Sequence, residues 1–274
     1  MKLVQSFLTN NPCYTSNKNR IDSRYTTFQD KGPQGLMLHS VGCAQPRASV
    51  FINSWNKASY DSACVHGFID ATDGTVYQTL PWNYRGWHGG GSSNNTHIGV
   101  EMCEPGNIKY TGGATFTCAD LTTARAAARR TYEAAVELFA ILCEKFGLNP
   151  LGDGVIVSHK EGYRRGIASN HGDPEHLWTQ LGMPYTMDTF RAAVKAKIDA
   201  DKAAASAPAS KPAVQPVPPK LDNTPSNWSK GAVEWATANK LMIGDDKGDL
   251  ALRSPITREQ FCVILKRYHD TLNK

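Results

Sequence analysis

The sequence predicts an α/β domain followed by a small helical module, and three observations carry that reading. Short apolar runs of strand length recur at residues 35–40, 64–70, 75–79, 98–103 and 155–157. Stretches of helical character alternate with them, the longest being residues 121–146, which are alanine-rich and contain no glycine or proline. From residue 203 to 220 the chain reads AAASAPASKPAVQPVPPK, alanine and proline with little to pack, so a semi-rigid spacer divides domain from module.

Length and composition agree. A chain of 274 residues exceeds the usual single domain and suits one full domain plus a smaller unit. No run of 18 apolar residues is present, which argues against stable insertion in a membrane. Met1 and Lys2 are followed by only a few apolar residues before Asn10, Asn11 and Pro12, too few for a signal-peptide core, so storage in the cytoplasm is expected. Seven cysteines without C-x-x-C spacing fit a reducing compartment. The net charge of +5 is mild, and on charge alone both cell wall and nucleic acid remain open as partners.

In chain order, residues 1–34 are polar and without a sustained period, and are read as an irregular arm over the domain surface. Gly35 to Ser40 is a short apolar strand that delivers His39 near its end. A helix is expected over Ala48 to Trp55, and residues 64–70 and 75–79 form a hairpin around Ala71-Thr72-Asp73-Gly74. A loop rich in glycine and asparagine then runs into the strand from Ile98 to Cys103, where Glu101 is a carboxylate among apolar neighbours. Leu121 to Phe146 is a helix closed by Gly147, with Lys145 in its last turn favourable to the helix dipole. Met187 to Ala200 is the last helix of the domain. In the tail, residues 227–240 and 257–272 are amphipathic helices around a turn at Gly244 to Gly248, the second begun by Thr257 as N-cap.

The stretch VIVSHKEGYRRGIASNHGDPEHLW, residues 155–178, holds three of the eight histidines. Val155 to Val157 end a buried strand, placing Ser158 and His159 at its tip, and an irregular loop then returns to His171 and Asp173. Imidazole and carboxylate suit zinc, and three protein ligands with one open position define a catalytic zinc site. The strand ending at His39 has the same design as that ending at His159. His66 and His88 flank the expected cleft and either line the substrate groove or hydrogen-bond the hairpin loops, and of the two His66, on the strand face of Cys64, His66 and Phe68, is the one favoured to touch substrate. Trp82, Tyr84 and Trp87 serve either as core or as platforms for sugar rings. Glu101 is either a proton-transfer carboxylate or a buried partner of Arg85 or Arg164. His97 and His176 are read as structural.

With GLMLHS, DGTVYQTLPWNYRGWH, IGVEMCEP and SHKEGYRRGIASNHGDPEHLW in this order, residues 35–198 resemble the zinc-dependent N-acetylmuramoyl-L-alanine amidases, a family that includes phage endolysins and is related to the peptidoglycan recognition proteins. The resemblance implies a central mixed β-sheet with flanking helices, zinc held by His39, His159 and Asp173, and Glu101 as the catalytic carboxylate. Many such amidases carry a lysine two residues before the third ligand, where this chain has His171. His171 then either replaces that lysine beside the oxyanion or is itself the third ligand with Asp173 in support. The tail PSNWSKGAVEWATANKLMIGDDKGDLALRSPITREQF resembles a single S-layer homology motif, a cell-wall-binding unit that usually occurs in tandem.

The resulting expectation is a catalytic domain over residues 1–200, a linker over 201–221 and a wall-binding or oligomerisation module over 222–274. The expected partners are bacterial peptidoglycan, a secondary wall polymer and further copies of this chain joined through the tail, with no nucleic acid. The function implied is that of a phage or prophage endolysin stored in the cytoplasm until a membrane lesion releases it. A bacterial autolysin and a peptidoglycan-recognition protein without hydrolysis are the alternatives.

Overall fold

The structure, a computed structural model, describes residues 1–206, 223–245 and 248–272. They fall into two compact units, the first ending at Ser206. The expected spacer lies, from residue 207 on, outside the described residues.

The first unit opens with β1 (Leu3–Gln5), α1 (Pro12–Lys18) and α2 (Ser23–Lys31). The expected irregular arm is therefore replaced by a strand and two helices. Their start signals are local: Asn11 accepts from the Cys13 N–H with Pro12 in the first turn, and Asp22 accepts from the Arg24 N–H. Burial of Leu8, Cys13, Tyr25 and Phe28 supplies the stability that a polar sequence of this length lacks by itself. There follow β2 (Gly35–Ser40), α3 (Ala48–Trp55), β3 (Gly67–Ile69), β4 (Val76–Gln78), β5 (His97–Met102), β6 (Ile108–Gly112), β7 (Thr115–Cys118) and α4 (Leu121–Phe146), which ends at left-handed Gly147. The unit closes with β8 (Ile156–Ser158), α5 (His159–Arg164), α6 (Glu175–Gln180) and α7 (Met187–Ser206). After His159 the chain is helical where an irregular turn was expected. Ser158 and Glu161 form a capping box there, and that pairing starts α5.

Six strands form a mixed sheet in the order β1-β4-β3-β5-β2-β8, with β3 and β4 antiparallel and the other neighbours parallel. Strands β6 and β7 make a separate hairpin. Alternation assigns the faces of the sheet. Leu36 and Leu38 of β2, with Ile98, Val100 and Met102 of β5, pack in one core with Ala128, Ala135, Leu138 and Phe139 of α4 and Phe190 and Val194 of α7. Met37, His39, Gly99 and Glu101 therefore belong to the opposite face, and β2 and β5 run parallel in a register that pairs His39 with Glu101. The cysteines are free thiols.

The second unit contains α8 (Lys230–Ala238) and α9 (Arg258–Leu272). Thr257 caps α9 by accepting from the Gln260 N–H, while Gln260 Oε1 accepts from the Thr257 N–H. Trp228 precedes α8 where a helical position was expected. The rings of Trp235 and Tyr268 meet at 6.4 Å, and Leu241 alone is buried among the described residues of this unit. Trp228 is 90 % exposed, and Trp235, Ile243, Ile256 and Phe261 are each more than half exposed. Trp228, Val233, Leu252, Ile256 and Val263 help line an open groove of about 720 Å³. Among the described residues no helix is long and apolar enough to cross a membrane.

Candidate functional site

The parallel strands β2, β5 and β8 end side by side, and the ends of such strands are where open α/β sheets place their sites. His39 is the next-to-last residue of β2, Glu101 the next-to-last of β5, and His159 follows directly on β8. Asp173 arrives from the loop between α5 and α6, where the Ser40 N–H donates to its Oδ2 at 3.3 Å. Nδ1 of His39 lies 3.0 Å from Nδ1 of His159 and 3.3 Å from Oδ2 of Asp173, and Nδ1 of His159 lies 3.6 Å from Oδ1 of Asp173. One ligand atom from each residue thus falls within 4.8 Å of the others.

The outer nitrogens of both rings are engaged elsewhere. Nε2 of His39 meets Nδ1 of His88 at 3.0 Å, and Nε2 of His159 lies 3.1 Å from both Ser169 Oγ and His171 Nδ1. Two imidazole nitrogens and a carboxylate converge on one point, and such a donor set matches a divalent metal of the zinc type. Burial works against a charge on His39, yet the hydrogen bond to Asp173 and the negative field of Glu101 leave its pKa raised. For His159 burial prevails, together with the charge on His39, and the pKa falls to about 4.

Glu101 is the other chemical feature of the site. Its Oε2 is buried and has no hydrogen-bond partner among the described residues. Burial pushes its pKa up to about 8 against the opposing pull of His39. Arg85, a possible partner on sequence grounds, instead donates to Asn95 and lies over the ring of Tyr25.

A cavity of about 500 Å³ joins these groups, its lining including His88, Glu101, His159, His171 and Asp173. That size suits a small-molecule or peptide site. The lining also includes Tyr110, which sequence reasoning left without a role, and His176, which it read as structural. The Tyr110 hydroxyl donates to buried Glu104 at 2.6 Å and lies 2.7 Å from Nε2 of His176, tying the hairpin of β6 and β7 to α6. Glu104 and Tyr110 carry no spacing signal, since a fold contact alone brings them together. Ser169 was also missed, hidden in a loop that reads as ordinary turn residues.

Two expected substrate contacts lie elsewhere. His66 is fully buried: Nδ1 accepts from the Gly99 N–H at 3.0 Å and Nε2 donates to the Tyr84 carbonyl at 2.7 Å. Both nitrogens are spent on backbone, so His66 offers nothing to a substrate. His66 precedes β3, which begins at Gly67, and the loop through Tyr84 closes over its ring. Trp87 donates from Nε1 to the Tyr25 hydroxyl and packs beside Leu8, Cys13, Cys64 and Leu80 instead of lining the cavity. His88 does reach the cavity, with both nitrogens engaged. His97 bonds to Thr96 and the Gly154 carbonyl, a structural position.

The family model described as N-acetylmuramoyl-L-alanine amidase matches residues 29–176. No curated protein matches the chain. Among solved structures, the hydrolase AmiA of Staphylococcus aureus, in complex with its ligand, aligns at a TM-score of 0.55 and 19 % identity, over 74 % of this chain and 85 % of that one. The catalytic domain of XlyA aligns at 0.45 and 20 % identity, over 71 % of this chain and 99 % of that one. The N-acetylmuramoyl-L-alanine amidase LysC of Clostridium intestinale aligns at 0.34 and 17 %, over 67 % and 99 %. The likeness to AmiA shows a shared α/β fold.

Proposed function

The chain belongs to the N-acetylmuramoyl-L-alanine amidase family, and from that premise we propose that it hydrolyses the amide joining the lactyl group of N-acetylmuramic acid to the first L-alanine of the peptidoglycan stem peptide. The observation that carries the proposal is the convergence of His39, His159 and Asp173 on one point, with His159 and Asp173 lining one cavity together with Glu101, a buried carboxylate whose Oε2 has no partner among the described residues.

His39, His159 and Asp173 would hold zinc, which when bound supplies Lewis acidity toward the scissile carbonyl and toward a water. Glu101 takes the proton from the attacking water and returns it to the departing amine. Burial raises the pKa of this carboxyl, and a divalent cation held beside it would favour the carboxylate form that accepts the proton. His171 meets Nε2 of His159 and is not one of the three converging ligand residues, which disfavours it as a ligand; it lines the same cavity as Glu101, and we assign it the role of donor to the developing oxyanion.

The biological setting proposed is that of a phage or prophage endolysin, held in the cytoplasm until a membrane lesion admits it to the wall. The tail would be an S-layer homology-like unit gripping a wall polymer. A single buried apolar side chain among its described residues, with four large ones more than half exposed beside Trp228, supports completion of its core by association with further copies.

The deciding experiment is digestion of purified cell walls with product analysis. Release of new L-alanine amino termini without new reducing sugar ends, abolished by chelation and restored by zinc, is the expected result. New reducing ends, or activity that survives exhaustive chelation, would refute the reading.

A further inference from the structure

His88 lines the cavity, yet neither of its ring nitrogens is free. Nε2 lies 2.9 Å from the backbone carbonyl of His97, and Nδ1 lies 3.0 Å from Nε2 of His39. A carbonyl oxygen only accepts, so the hydrogen of a neutral His88 ring sits on Nε2 and Nδ1 presents a lone pair. That lone pair accepts from Nε2 of His39. In the neutral His39 ring that a metal requires, Nδ1 is then left without a hydrogen, and it is the atom that faces His159 and Asp173.

The backbone makes room for this ring. A Cβ on Gly99 would stand 2.3 Å from Cγ and 2.4 Å from Nδ1 of His88, and a Cβ on Gly86 would stand 2.8 Å from its Cδ2. Gly99 is the β5 residue on the same sheet face as Glu101 and His39, so a missing side chain in the wall of the site is filled by an imidazole from the neighbouring loop. The rings of His88 and His39 stand edge to face at 79°. Such a contact fixes the turn of the ligand ring as well as its tautomer.

We infer that His88 is a positioning residue, which relays the direction of the His97 carbonyl through two imidazoles and so holds His39 in the one tautomer that offers Nδ1 to a metal. The inference rests on the metal centre proposed above. It gives His88 a task different from the substrate contact expected of it in the sequence.

Two amide substitutions separate positioning from packing. His88→Asn places an acceptor where Nδ1 was and gives up the bond to His97, whereas His88→Gln reaches the His97 carbonyl and leaves His39 without its acceptor. Zinc affinity of the full chain is measured by competition with a chromophoric chelator, with circular dichroism as the check on folding. His88→Gln is expected to bind zinc roughly 10- to 100-fold more weakly, the usual cost of losing the partner behind a ligand histidine, with His88→Asn close to wild type. Gly99→Ala displaces the ring without altering any hydrogen-bonding group, and it should also weaken zinc, so it carries the test if His88→Gln does not fold. Unchanged affinity in His88→Gln and Gly99→Ala overturns the inference, as does an equal loss in His88→Asn and His88→Gln. A wild-type protein that binds no zinc sinks the metal centre itself, this inference with it.

Discussion

His39 of β2 and Glu101 of β5 are register partners on adjacent parallel strands, on the sheet face opposite α4. One strand pairing therefore sets the distance between a metal-type ligand and the carboxylate that would move the proton. The two residues should fail in different ways. His39→Ala and His159→Ala are expected to lose zinc, whereas Glu101→Gln should retain about one zinc per chain and lose activity by a factor on the order of 100 or more. Metal analysis beside a wall-lysis assay decides this. A fully active Glu101→Gln protein would remove that residue from the mechanism.

His171 meets Nε2 of His159 and is not one of the three converging ligand residues. His171→Ala should keep its zinc and lose activity by roughly 10²- to 10³-fold, as for removal of one oxyanion donor. Zinc lost in proportion to activity would make His171 a ligand instead.

The buried ring of His66 predicts how the fold responds to acid. Burial lowers its pKa from 6.5 to about 4. The unfolded chain therefore binds the proton first as pH falls, and stability present above about pH 6.5 is lost progressively toward pH 4. The loss attributable to this one group is about 3 kcal/mol. Melting of the chelated protein across this window checks it: His66→Gln should start less stable at pH 7.5 and lose less on acidification. Parallel curves for the two proteins would contradict this account.

The tail supplies a prediction about assembly. The full chain should run as a homo-oligomer in light scattering, most simply a dimer, whereas residues 1–206 alone should be monomeric. Two monomers, or two oligomers of equal order, would refute assembly through the tail. Trp235→Ser and Phe261→Ser, at positions more than half exposed, should shift the full chain toward monomer.

Several elements were legible because their signals are local. Residues 48–55 and 121–146 coincide with α3 and α4, and the strand ending at His39 lies where its apolar run places it. The N-terminal helices were not legible in the same way. Asn11 and Asp22 cap short polar segments that become helical only because Leu8, Cys13 and Phe28 find a surface to bury against.

For the site, the sequence by itself determined the residue types, the strand ends that carry them and, through the order of four motifs, the family. Tertiary structure decided which of those residues meet. It brought His39, His159 and Asp173 to one point, left the Oε2 of Glu101 unpartnered beside the cavity that His159 and Asp173 line, and turned His66 and Trp87 away from it. The reason is that a side chain's face follows from strand periodicity, which sequence records, whereas what covers that face depends on loops closing over tens of residues. His88 is the clearest case. Its role depends on a carbonyl nine positions along the chain and on the absent side chain of Gly99, and neither acquires meaning until the loop is folded against β5.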